Sequence, residues 1–174
     1  MNRRPKMQTT HQSMGVLPMR STIFAVVIAA SAALLSISAA TASATEINDA
    51  QRQSNLKTVL EFYEKGLNQK DVEAALALVG PRYTQHNPLA EDGPEGFRKF
   101  IALLREKFPK SRSEIKQSFV DGDYVVLHVH SVREPGTRGN AIIDIFKLEN
   151  GKIVEHWDVV QPIPEKAANT NTMF

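Results

Sequence analysis

The chain has 174 residues, with 21 basic and 19 acidic side chains and no cysteine, which excludes a disulfide framework and a thiolate metal site. Its basic excess is local: residues 1–44 hold Arg3, Arg4, Lys6 and Arg20 and no acid, and beyond them 17 basic face 19 acidic residues, a net −2. That balance leaves no electrostatic footprint for nucleic acid, and the remaining residues, about 130, suffice for one domain around one core.

The first element is a targeting segment. After the basic start comes "STIFAVVIAASAALLSISAATASA" (21–44), uncharged and ending in Ala42-Ser43-Ala44. A basic start, an apolar centre and an A-x-A end predict a signal peptide cleaved near Ala44 and export to the periplasm or beyond. The competing reading is a retained membrane anchor, since Ile23–Ala40 reaches the lower end of the spanning range. Cleavage leaves 45–174 as one domain with no membrane attachment.

In that domain, Leu56, Val59, Leu60, Tyr63 and Leu67 recur with the one-faced spacing of a helix over about 47–67. Asp71 is placed to cap a short second helix carrying Val72, Ala75, Leu76 and Val79, stopped by Gly80-Pro81. The stretch "GPRYTQHNPLAEDG" (80–93) reads as a loop. Pro94 opens a third helix with Phe97, Phe100, Ile101, Leu104 and Phe108 on one face, ending at Pro109. From there the period falls to two. Strands are expected at about 114–120, 123–133, 139–149 and 152–161, joined by "DGD" (121–123), "EPGTRG" (134–139) and a tight Asn150-Gly151 hairpin. Helices first and an antiparallel meander afterwards indicate α+β, with the helices packed on one face of a curved sheet.

One residue breaks the strand pattern. In "AIIDIF" (141–146), Asp144 shares its face with Ile142, Phe146 and Leu148 and so points inward. A buried carboxylate without a partner is expensive. The imidazoles of "YVVLHVHSV" (124–132) and "KIVEHWDVVQ" (152–161) are the candidate partners: His128 and His130 on the first strand, His156 beside Asp158 on the second, with Trp157 on the opposite face. An inward acid near histidines is a poised base; the competing reading is a structural ion pair. Tyr83, His86 and Phe97 precede the strands. A third reading is a metal site at His128, His130 and His156, because "GDYVVLHVHSVRE" resembles the first half of a cupin metal motif, although the second half does not follow. The outward Ile143, Ile145 and Val159 make an apolar outer face and predict a homodimer.

Taken together and in order, "YTQHNP" (83–88), "GPEGF" (93–97), "GDYVVLHVH" (122–130), "DIFKLENGKIVEHWDVVQPIP" (144–164) and "NTMF" (171–174) resemble the SnoaL-like polyketide cyclases of the nuclear transport factor 2-like superfamily. The resemblance covers the whole of 45–174. It implies a cone-shaped curved antiparallel sheet packed on N-terminal helices, with a deep apolar pocket for a small apolar or carbonyl-containing ligand. It further implies ring closure by intramolecular aldol chemistry without metal or cofactor. Asp144 matches the family's acid/base and His130 its partner histidine; Tyr83, His86, Phe97, His128, His156 and Trp157 are the expected pocket walls. The function expected is thus a cofactor-independent lyase or isomerase acting next to a carbonyl. A binding domain without chemistry is the alternative.

Overall fold

A computed structural model describes residues 48–174; the expected signal peptide, 1–44, lies outside them. Helix α1 covers 48–63 and runs on into a π-helical turn, Glu64–Asn68. Helix α2 is Val72–Leu76, and the Asp71 carboxylate accepts from the Ala74 amide at 3.1 Å, the expected N-cap. Helix α3 is Gly93–Lys107, with Pro94 in its first turn. Four strands follow: β2 (Arg112–Asp121), β3 (Tyr124–Val132), β4 (Asn140–Glu149) and β5 (Lys152–Pro162). Asn150 and Gly151 both adopt positive φ, as the tight β4–β5 turn requires.

One element was not foreseen. Val79, expected on the second helix, and residues 80–85, expected as loop, instead form strand β1, Val79–Gln85, which lies parallel to β5 at the sheet edge. The sheet order is β1-β5-β4-β3-β2. Pro81 concealed β1, yet an edge strand tolerates proline where no ladder hydrogen bond is needed, and the register shifts between Val79 and Thr84.

The core forms where the helices meet the inner face of the sheet. Val59, Phe62 and Tyr63 of α1 and Phe97, Ile101 and Leu104 of α3 pack against Val125, Leu127, Val129, Phe146 and Leu148. Polar side chains fix the approach of α1. Arg52 donates to the Val120 carbonyl at 2.7 Å and the buried Asn55 to that of Gly122 at 3.3 Å, tying the helix to the β2–β3 turn.

The π turn matters because it directly follows Tyr63 and contains Gly66. A Cβ at Gly66 would lie 2.7 Å from Cζ of Phe97 and 3.3 Å from Cβ of Ala75. The Phe97 ring is itself packed 5.0 Å from Phe62 and 6.4 Å from Tyr83, so moving it aside disturbs both contacts. Overpacking of this kind costs about 1–3 kcal/mol, more than the helix propensity that alanine adds. Gly66→Ala is therefore expected to lower stability by up to about 2 kcal/mol, read as a lower urea midpoint at unchanged slope.

Candidate functional site

A cavity of about 300 Å³ opens between α1, α3 and the inner face of the sheet. Its apolar wall is Phe62, Phe97, Phe100, Phe146, Ile142 and Val160; its polar groups include Tyr63, Tyr83, Gln85, Asn87, Asp144, His156 and Asp158.

Asp144 sits in this wall and is 4 % exposed. Strand alternation places it inward, as Ile142, Phe146 and Leu148 predicted. Two groups hold its carboxylate. Tyr63 donates its phenolic hydrogen to Oδ2 at 3.1 Å, and Nε2 of His156 lies 3.0 Å from Oδ1. Tyr63 is delivered by the last turn of α1. The β4–β5 register sets Phe146 opposite His156 and Asp144 opposite Asp158, so His156 reaches Asp144 diagonally along one face.

The far side of the imidazole is also fixed. His156 Nδ1 lies 3.0 Å from Oε1 of Gln85, whose amide nitrogen donates to the Tyr83 hydroxyl at 3.2 Å. An amide oxygen can only accept, so Nδ1 carries a hydrogen. In the neutral ring Nε2 is then an acceptor, and its bond to Asp144 requires one proton held between the two groups. The Tyr83 hydroxyl accepts from Gln85, and its own hydrogen has no acceptor among the described residues. Beside this network, Nδ2 of Asn87 donates to both oxygens of Asp158 at 2.8 Å.

Burial raises the Tyr63 hydroxyl well above the usual tyrosine range, and the neighbouring Asp144 charge adds to the effect. Tyr83 is raised in the same way, by burial first and then by the charges of Asp144 and Asp158. Both phenols are thus kept as donors.

Asp144, His156 and Asp158 offer ligand atoms within 4.8 Å of one another and are the residues that could hold a cation. Each is already engaged, by Tyr63, Gln85 and Asn87 respectively, so a cation would displace the proton between Asp144 and His156.

Three of the expected pocket residues, Tyr83, Phe97 and His156, line the cavity with Asp144. Four others do not. His130 is on the opposite face of the sheet: Leu127, not an imidazole, stands opposite Asp144, and His130 stands opposite Ala141. Its Nε2 bonds the Arg138 carbonyl at 2.7 Å, and its ring packs on Phe174 at 4.8 Å. His128 also faces outward against Phe174, at 5.2 Å. With two of its three histidines outside and His156 inside, the proposed His128–His130–His156 metal site does not assemble. His86 and Trp157 stack on each other, centroids 4.4 Å apart and planes 4° apart, away from the cavity. Tyr63, Gln85, Asn87 and Arg133 were missed. Tyr63 passed as core on a helix face, and Gln85 and Asn87 lay in the stretch read as loop. Asp158 was noticed only as sharing a face with His156.

With this geometry, a family match over residues 59–156, the SnoaL-like domain, has structural content. The chain belongs to the SnoaL-like domain family. Solved structures share the fold of these nuclear transport factor 2-like proteins. TsrD from Streptomyces laurentii is 23% identical, with 61% of this chain and 87% of that one aligned at a TM-score of 0.52. A candidate SnoaL-like polyketide cyclase from Jannaschia sp. CCS1 is 22% identical, with 63% and 87% aligned at 0.53. A nuclear transport factor 2-like protein of unknown function from Cytophaga hutchinsonii is 22% identical, with 62% and 90% aligned at 0.50. No curated protein matches the chain.

The raised phenols predict an alkaline limit to stability. A group whose pKa is higher folded than unfolded adds stability that is complete below the unfolded value, about 10, and is lost as pH climbs from there toward the folded value. Each phenol is expected to remove about 1.4 kcal/mol per pH unit in that window. Urea midpoints at pH 8 and 11 should differ less in Tyr83→Phe than in the wild type.

Proposed function

We propose that the protein is a cofactor-independent enzyme that moves a proton at a carbon next to a carbonyl, with Asp144 as general acid/base. Membership of the SnoaL-like family supports a cyclase or isomerase of this kind. The observation that carries the reading is the buried Asp144 carboxylate in the wall of an apolar cavity, bonded to both Tyr63 and His156.

In the proposed step a carboxylate oxygen of Asp144 takes the α-hydrogen, and the C–H electron pair moves into the carbonyl to give an enolate. The enolate carbon then either recovers a proton from Asp144 at another position or attacks a second carbonyl of the same molecule. In the second case the new alkoxide takes the proton back, and a ring has closed. His156, held through Nδ1 by Gln85, keeps the proton it shares with Oδ1 and so orients Asp144, whose carboxyl group itself carries the abstracted proton. The spare hydrogen of the Tyr83 hydroxyl is the donor to the developing oxyanion. These two residues take the role expected of His130.

We also propose that the chain is exported, on the strength of the sequence of 1–44, and that it pairs through its outer sheet face. Support for pairing comes from the apolar exposure there: Val159 is 71% exposed, Phe119 59%, Tyr124 42% and Ile143 40%. Ile143→Lys with Val159→Lys should halve the mass measured by sedimentation if the face is a dimer contact, and change nothing if the chain is a monomer.

The catalytic reading is tested on a generic probe, 2-tetralone in D2O, by following exchange of its α-hydrogens by NMR. Wild-type protein should accelerate exchange, and Asp144→Asn should reduce the acceleration by about 10²-fold or more while its circular dichroism stays unchanged. His130→Gln should exchange like the wild type. Undiminished exchange in Asp144→Asn would leave a ligand-binding domain without this chemistry.

A further inference from the structure

The cavity is layered along the strands. On β4 the inward residues run Phe146, Asp144, Ile142 and Asn140; their partners on β5 are His156, Asp158, Val160 and Pro162. At the outer end Ser131 of β3 stands opposite Asn140. The order from inside outward is therefore an aromatic layer, a layer of two carboxylates, an aliphatic layer and a polar rim. Same-face residues on a strand repeat about every 7 Å, so Asn140 lies about 13 Å along the strand from Asp144.

Arg133, two residues past Ser131, lies just beyond the end of β3 and lines this rim. Its guanidinium carbon lies 5.7 Å from the ring centre of Phe100 and 5.4 Å from that of Phe108. Two aromatic faces thus hold the head group at the cavity mouth. Among the described residues no carboxylate or carbonyl oxygen pairs with it, whereas Arg82 and Arg98 are engaged by glutamates. The other charged group at the rim, Glu91, is paired with Lys99 at 2.6 Å. Arg133 is therefore a located cation with its hydrogen-bonding edge free, at the opposite end of the cavity from Asp144 and Asp158.

We propose that the substrate is an amphiphilic acid. Its carboxylate, or a similar planar anion, binds Arg133; an apolar body lies against Ile142, Val160 and Phe100; and its reacting carbonyl lies beside Asp144. This rests on the reading of the cavity as a substrate site. Allowing for the reach of the arginine, the anion and the reacting carbon are separated by roughly 7–10 Å. The charge distribution fixes the direction of entry. An anion placed innermost would meet two carboxylates, and at the rim it meets a guanidinium whose planar fork matches it.

The test uses two probes of nearly equal shape, naphthalene-2-carboxylate and naphthalene-2-carboxamide, with binding to the purified protein measured by calorimetry. Wild type should bind the carboxylate about tenfold more tightly, and added salt should shrink the difference. Arg133→Met should abolish the preference while leaving the amide within about twofold, and Arg133→Lys should keep part of it. Asp144→Asn should keep or enlarge the preference. Equal affinities in wild type, an unchanged preference in Arg133→Met, or no binding of either probe would overturn the proposal. An intact preference together with undiminished tetralone exchange in Asp144→Asn would instead fault the catalytic reading alone.

Discussion

The pairing of one buried carboxylate with a phenol and an imidazole is the constraint to which the rest of the molecule is fitted. Asp144 is removed from water, so its oxygens must be satisfied by protein. Tyr63 and His156 do this from opposite sides, one from a helix and one from a neighbouring strand. Removing one partner from a buried pair of this kind typically costs about 3–5 kcal/mol, because the other is left without compensation. The regular winding of the helix ends where Tyr63 reaches the sheet. The π turn begins at the next residue, and Gly66 within it admits the Phe97 ring that closes the cavity wall. Helix position, aromatic packing and the acid are in this way a single arrangement.

The edge strand extends that arrangement outward. Without β1 there would be no Gln85 beside His156, and the imidazole could present either tautomer to Asp144. Pairing β1 parallel to β5 puts Gln85 opposite His156, and the amide oxygen then fixes which ring nitrogen carries the hydrogen. The same pairing sets Tyr83, two residues earlier, on the cavity side, where Gln85 occupies one of its lone pairs and leaves its hydrogen free. A strand that contributes little to the core thereby controls the proton inventory of the site.

Much of this was legible in the sequence, and what was not has identifiable causes. Period-two alternation placed Asp144 inward, and the Asp71 cap, Pro94 and Asn150-Gly151 marked ends and turns close to where they occur. The misreading of His130 came from register. Alternation says which residues of one strand share a face, but not which set of the next strand joins them. Opposed residues share a face, and here Leu127 opposes Asp144, so odd positions on β3 go with even positions on β4. The aliphatic set on β3, Val125, Leu127 and Val129, was the available signal, since the core takes the aliphatic set before the histidines. Strand β1 was hidden for a different reason. Its Gly80 and Pro81 are turn residues in most contexts, and only the edge position, invisible locally, makes them acceptable in a ladder.

The cavity itself argues that this arrangement is not there for stability alone. Replacing a buried ionic pair by well-packed apolar side chains is often neutral or stabilising, and Ile142, Phe146 and Val160 show that the surrounding wall is already apolar. A chain selected only for a compact core would have filled the space beside Asp144 with side chain. Instead the space is bordered by two carboxylates, by a phenol with a free hydrogen and, at its rim, by an arginine held between aromatic rings. Groups of opposite character are kept apart at the two ends of an apolar passage, where neither can neutralise the other. Such separation is costly inside a folded chain and becomes useful when a molecule with a matching sequence of groups (anion, apolar body, carbonyl) enters and satisfies both ends at once.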